Sequence, residues 1–326
     1  MELDKIIIWG HKLHSHTHSY IHNSFTKCFS HLGYKTYWFE DLPENTSKID
    51  FNNSLFLTCG EHCKYMPILN SSFYLLHNVN NPITNLQITN NNYLNFQVYT
   101  HDCIDRDIPC QELPFHYYTN NNDIHTIYFP WATDLLPEEI ENNILNIDNI
   151  IKVRKEEIHF IGMPTDEWGI VSNLCKDSPI QYIQHGGTFD SNSTKNRSIK
   201  ENMELIQSSI VAPAIQTKWQ VEKGYIHCRI FKNISYGKMG LTNSITVNKL
   251  FNNKLIYSDN IQELLKKGMD FEYNITQNKD IVIELMNNVK NNHTYVNRCN
   301  FHSPRVDLKS LADKPGLMLS SLSREY

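Results

Sequence analysis

No stretch of the 326-residue sequence approaches the roughly 18 consecutive apolar residues of a membrane-spanning helix, so no integral membrane segment is expected. Positive charge is not in excess either. Thirty Lys and Arg against 35 Asp and Glu leave a formal net charge of −5, which argues against a nucleic-acid scaffold with a broad basic face. Paired cysteines are missing: the eight cysteines are scattered through a chain large enough not to need disulfides, and reduced thiols are the expectation. Cys59 and Cys63 in CGEHC are the one close pair, but structural zinc needs a second pair at matching spacing, and Cys103 with Cys110 does not supply it. The opening MELDKIIIWG has neither the basic start nor the long apolar core of a signal peptide, so a cytoplasmic location is expected.

What is present is the alternation of an α/β protein. The segment 5–10 (KIIIWG) is apolar throughout, as a buried parallel strand is, and 19–33 carries Tyr20, Phe25, Phe29 and Leu32 on one helical stripe that closes at Gly33. Strands are expected at 34–41, 54–60, 72–79 and 96–103. Residues 128–140 carry two prolines and suit a crossing between domains, with a helix start at Asp134 or Pro137. Beyond them the alternation restarts: strands at 156–163, 180–187, 209–215 and 253–259, a helix from Thr165 or Asp166, a helix within 228–240, and a last long helix over 280–295. The expectation is two Rossmann-like doubly wound domains, 1–150 and 151–303, facing a central cleft, with 304–326 a tail outside functional reasoning. In such sheets ligands collect at the carboxyl ends of the strands, which groups Gly10, His11, Cys59 to Glu61, His77, Asn78, His101 and Asp102.

Residues 228–244, CRIFKNISYGKMGLTNS, resemble the donor-binding helix and following short strand of GT-B glycosyltransferases, a family whose helix is commonly written R-x-F-E-x-x-x-x-G. Arg229, Phe231 and Gly237 occupy matching positions, and Lys232 stands where the family usually has the glutamate that holds the donor ribose. The resemblance implies a metal-independent enzyme without cofactor. It would move a sugar from a nucleotide diphosphate sugar to a hydroxyl of a glycan acceptor, in surface glycan biosynthesis. The residues suit that chemistry on their own terms. A helix start holds phosphate through free N–H groups and the positive end of its dipole, Arg229 and Lys232 add donors, and Gly237 and Gly240 permit close backbone approach. Thr242, Asn243 and Ser244 supply polar groups at the mouth, and His185, Gly186 and Gly187 in HGGTF form a second glycine-bearing strand end.

Residues 10–23, GHKLHSHTHSYIHN, hold five histidines on the loop after the first strand, where inverting GT-B enzymes often carry a base. Imidazole titrates near the operating pH and suits that task. His16 is the favoured base, His14 and His18 are the alternatives, and Asp102 is the carboxylate best placed to orient it. His11 and His22 are expected to be structural. The LHSHT core also resembles the first metal-binding motif of polymerase-and-histidinol-phosphatase-type phosphoesterases, which would draw further ligands from His77, His101, Asp102 and His185. That rival, a divalent-metal phosphoesterase, and a non-catalytic sugar-binding protein of similar architecture both stay open.

Overall fold

The computed structural model describes residues 4–12, 17–58, 63–77, 93–98, 117–119, 125–186 and 197–299. Among them the chain separates into two compact units: the described residues up to 98, with 117–129 and 295–299, form one, and residues 130–294 form the other. The expected tail, 304–326, lies outside the described residues.

The first unit is built on seven strands: β1 (Lys5–Trp9), β2 (Thr36–Phe39), β3 (Ser54–Thr58), β4 (Phe73–His77), β5 (Tyr93–Gln97), β6 (Tyr117–Thr119) and β7 (His125–Tyr128). They lie in the order β2-β1-β3-β4-β5-β7-β6, parallel except for β6, which pairs antiparallel with β7 at the edge. The central strands are buried along their length except at Lys5, the first residue of β1, as strands covered on both faces must be, and their apolar runs reflect it. Ile7, Trp9, Phe56, Tyr74 and Leu76 form one side of that core. Helix α1 (Thr17–His31) crosses from β1 to β2 and ends at Gly33, whose φ of +84° suits a glycine past a helix end. The expected strand at 96–103 begins earlier, at Tyr93, because Tyr74 and Leu75 on β4 pair with Tyr93 and Leu94.

The second unit carries β8 (Glu157–Ile161), β9 (Gln181–His185), β10 (Pro213–Ala214), β11 (Leu241–Thr242) and β12 (Ile256–Tyr257), all in parallel pairs: β8 with β9, and β10-β11-β12. The two groups are joined where Ile210 N–H donates to the Glu157 carbonyl at 2.7 Å and Lys155 bridges Ser209. Its helices are α2 (Pro137–Leu145), α3 (Ile147–Lys152), α4 (Asp166–Lys176), α5 (Ile199–Ser208), α6 (Lys218–Glu222), α7 (Cys228–Ser235), α8 (Ile245–Leu250), α9 (Ile261–Tyr273) and α10 (Ile275–Asn292). Pro137 opens α2, as a proline with a preset φ and no N–H can. Helix α11 (Tyr295–Cys299) returns to the first unit, where the Tyr295 ring lies 4.6 Å from that of Phe25 on α1. None of the described helices is long and apolar enough to cross a membrane.

The division falls at 129/130 rather than at the expected 150/151. Helix α2 lies before 151 and α3 straddles it, yet they pack on α10 and α5 respectively, so their apolar faces belong to the second core. That core also encloses ionic groups. Lys238 and Glu272 are fully buried, Arg154 pairs with Glu272, and Lys238 Nζ donates to the carbonyls of Ser209 and Ile210 at 2.6 and 3.1 Å. Taking away one member strands the others in a low-dielectric interior. Glu272→Ala is therefore expected to destabilise the protein by about 3 to 5 kcal/mol, read from the midpoint of urea denaturation.

Candidate functional site

The strand order of the second unit reverses between β8 and β10, and open α/β sheets bind ligands outside the carboxyl ends of their strands at such a reversal. The chain leaves β8 at Gly162 and β10 at Ile215, and Arg229 on the first turn of α7 reaches this edge. Its Nη2 lies 3.4 Å from the Ile161 carbonyl oxygen, and a Cβ on Gly162 would come within 2.9 Å of it. Gly186, after β9, is equally close: a Cβ there would press to 2.7 Å on the Gly162 carbonyl. With φ of +149° and +120°, both positions favour glycine on conformational grounds as well.

The Arg229 guanidinium carbon lies 4.7 Å from the centre of the Phe160 ring and 5.6 Å from that of Trp168, and the two rings stack on each other at 3.8 Å. The cation is crowded by protein and yet keeps accessible surface. Burial pushes its pKa below the ordinary arginine value. Among the described residues no carboxylate pairs with it. His227, the N-cap of α7, makes no side-chain capping bond, so the first N–H groups of the helix are not closed off by it. A cation lacking a carboxylate at a helix start is chemistry that holds an anion.

Two buried polar groups flank this point. His227 is 7% exposed and Gln216 1%, and among the described residues neither ring nitrogen of His227, nor Oε1 of Gln216, completes a hydrogen bond. Gln216 Nε2 donates to the Tyr225 carbonyl at 2.6 Å, and Trp131 Nε1 donates to the Tyr225 hydroxyl at 3.0 Å. Burial first, then Arg229, pushes the His227 pKa down to about 3; backbone groups of His227, Ala214 and Ile215 oppose the shift.

The remaining residues singled out in this region divide by what they touch. Lys232 does not join Arg229. It pairs with Asp134 at 3.0 Å, and the same carboxylate accepts the Tyr236 hydroxyl at 2.7 and 2.8 Å. Gly237 ends α7 at φ +92°, packed on Ile147 and Ile150, and Gly240 is packed between Leu255 and Ile234. Thr242 is buried and accepts the Ser244 N–H at 3.1 Å, and Ser244 caps α8. Asn243 clamps the neighbouring loop, accepting Gln216 N–H at 2.9 Å and donating to its carbonyl at 2.8 Å. Gly187 lies outside the described residues.

His185 stands in an arrangement that sequence reasoning missed. Glu157 Oε2 lies 2.9 Å from His159 Nε2, and His159 Nδ1 lies 2.8 Å from His185 Nε2. The available signal was spacing: in a strand, Glu157 and His159 are two apart and share a face, and the parallel register sets His185 opposite Ile161 on the same face.

In the first unit the strand order reverses between β1 and β3, and β1 ends at Gly10 and His11, the latter at φ +46°. The Gly10 carbonyl accepts Nδ1–H of His22 at 2.8 Å and Nε1–H of Trp38 at 3.0 Å, which gives His22 the structural place expected of it. The ring centre of His18 lies 6.2 Å from that of His11 and 5.1 Å from that of His77, and the His11 ring lies 5.9 Å from the His22 ring. Burial, then His18 and His22, hold the His77 pKa well below the usual imidazole range. Among the described residues no three His, Cys, Asp or Glu side chains form a group that could hold a metal ion. His14, His16 and Asp102 lie outside the described residues.

No protein-family model matches the sequence, and no curated protein matches it significantly.

The His227 ring carries a pH dependence whose sign follows from its pKa. In the unfolded chain the ring takes a proton near the ordinary 6.5, and in the folded chain only near 3, so stability is full above the first value and is lost as pH falls toward the second. Replacing it by the similar, non-titrating His227→Gln should flatten the stability profile between about pH 4 and 6 by up to one proton, about 1.4 kcal/mol per pH unit. Urea denaturation across that range measures it.

Proposed function

We propose that the second unit binds the diphosphate of a nucleotide sugar, and that the protein is a GT-B-like glycosyltransferase acting on a hydroxyl of a glycan acceptor without a metal. The observation that carries this reading is Arg229: a crowded cation without a carboxylate partner among the described residues, at the start of α7 and at the reversal of strand order. The two α/β units, with α11 returning to the first, support the architecture this reading needs.

In this reading the acceptor oxygen forms a bond to the anomeric carbon of the sugar while the bond from that carbon to the diphosphate oxygen breaks. The negative charge that grows on the departing diphosphate falls to Arg229 and the N–H groups of α7. The proton of the acceptor hydroxyl passes to a general base, a role that imidazole suits. His18, within reach of His11 and His77, is the described member of the candidate set that includes His14 and His16. A second reading, a divalent-metal phosphoesterase, draws no support from the described histidines, because no three of the described His, Cys, Asp or Glu side chains form a group that could hold a metal ion.

Thermal shift with inorganic pyrophosphate and with UDP, GDP, CDP, dTDP and their sugars, in EDTA, tests the proposal, because a ligand that binds only the folded state raises apparent stability. Stabilisation by one nucleotide supports it. Stabilisation by zinc or manganese alone, with none by nucleotides, overturns it in favour of the phosphoesterase. Arg229→Gln should weaken pyrophosphate and nucleotide binding about 10- to 100-fold, the loss of a charge-assisted hydrogen-bond donor. His18→Ala should leave nucleotide affinity in place and lower turnover about 10²- to 10⁴-fold; unchanged turnover would remove His18 from the reaction.

A further inference from the structure

The contacts of Glu157, His159 and His185 decide where protons sit. A carboxylate offers only acceptors, so Nε2 of His159 donates to Glu157 across 2.9 Å. When both rings are neutral, Nδ1 of His159 is then a lone pair, and the 2.8 Å contact to His185 requires the hydrogen on Nε2 of His185. That leaves Nδ1 of His185 as a lone pair in turn, and among the described residues nothing donates to it. His159 is 6% exposed and its ring lies 5.0 Å from that of His185, so the relay is held by packing as well as by its hydrogen bonds. The backbone N–H of His159 is held in addition by Ser209 Oγ at 3.0 Å.

His185 is the last residue of β9, and its carbonyl accepts the N–H of Gly162 at 2.9 Å. The relay therefore ends at the glycine edge that Arg229 approaches from the other face of the sheet, where Phe160 stands. No side chain from Gly162 or Gly186 stands between the two faces at that edge. We propose that Nδ1 of His185 accepts a hydrogen bond from a sugar hydroxyl of the ligand whose diphosphate Arg229 holds, and that Glu157 and His159 are positioning residues that fix it as an acceptor. The proposal rests on the nucleotide-sugar reading above. In such a ligand the groups bonded to the diphosphate are the ribose and the transferred sugar, both rich in hydroxyl donors. Lys232, which carries donors only, is turned to Asp134 and provides no acceptor here. An acceptor role fits better than that of a base: burial first, then Arg197 and His159, push the His185 pKa down to about 4, so the ring stays a neutral acceptor at physiological pH.

Two measurements test the proposal. With histidine-selective ¹⁵N labelling at pH 8, and His185 assigned by the resonances lost in His185→Phe, wild-type His185 should be the Nε2–H tautomer; an Nδ1–H tautomer overturns it. Binding of inorganic pyrophosphate and of UDP-glucose, GDP-mannose, CDP-glucose and dTDP-glucose is then compared by calorimetry. His185→Phe should weaken the best-bound nucleotide sugar about tenfold, the loss of one neutral hydrogen bond, and leave pyrophosphate within about twofold. Equal loss for both, or no loss for the nucleotide sugar, overturns the subsite while the broader reading stands. If the wild-type protein binds none of the nucleotide sugars, the functional reading and the ligand assigned to His185 fall together, and the tautomer still reports on the relay by itself.

Discussion

Arg229 is crowded by protein, and because no carboxylate among the described residues pairs with it, its guanidinium is held by other means that the second unit supplies. The stacked rings of Phe160 and Trp168 receive Arg229, the carbonyl of Ile161 lies within its reach, and Gly162 leaves the space it occupies. Any bulkier residue at 162 would displace it.

Holding Arg229 in place is the task of the whole of α7, and many residues that look like ligand contacts serve that end. Lys232 and Tyr236 tie the helix to Asp134, Asn233 donates to the Ala212 carbonyl at 2.7 Å, and Gly237 lets the chain turn out against Ile147 and Ile150. Beyond the turn Lys238 enters the buried pair with Glu272. Asn243 locks the loops after β10 and β11 together, and Gln216 and His227 are thereby kept at the strand reversal with polar atoms that no described residue satisfies. Rigid support with unsatisfied polar atoms at one edge is the opposite of what a purely structural helix needs.

Most strands and the helices α1, α2, α4, α7 and α10 were legible because their signals are local, whereas α3, α5, α6, α8, α9 and α11 were not expected. Burial on both faces writes itself as a continuous apolar run, as in β1 and β4, and a helix end writes itself as a glycine, as at Gly33 and Gly237. Strands β6 and β7 were not expected: each is short, and neither carries an apolar run longer than two residues. The boundary at 129/130 was missed because the apolar faces of α2 and α3 look the same whichever core they join, and only packing on α10 and α5 assigns them.

By itself the sequence determined the α/β class, the parallel strands, the helix at 228–235 and the presence of arginine at its start, since each depends on neighbours a few residues away in the chain. Tertiary structure alone decided that Lys232 turns to an aspartate 98 residues earlier while Arg229 meets none among the described residues. It also decided that a strand glutamate and two histidines, the second 26 residues beyond the first, line up as one relay. Those outcomes rest on strand register and helix placement, which bring together groups far apart in the chain and which local spacing does not encode.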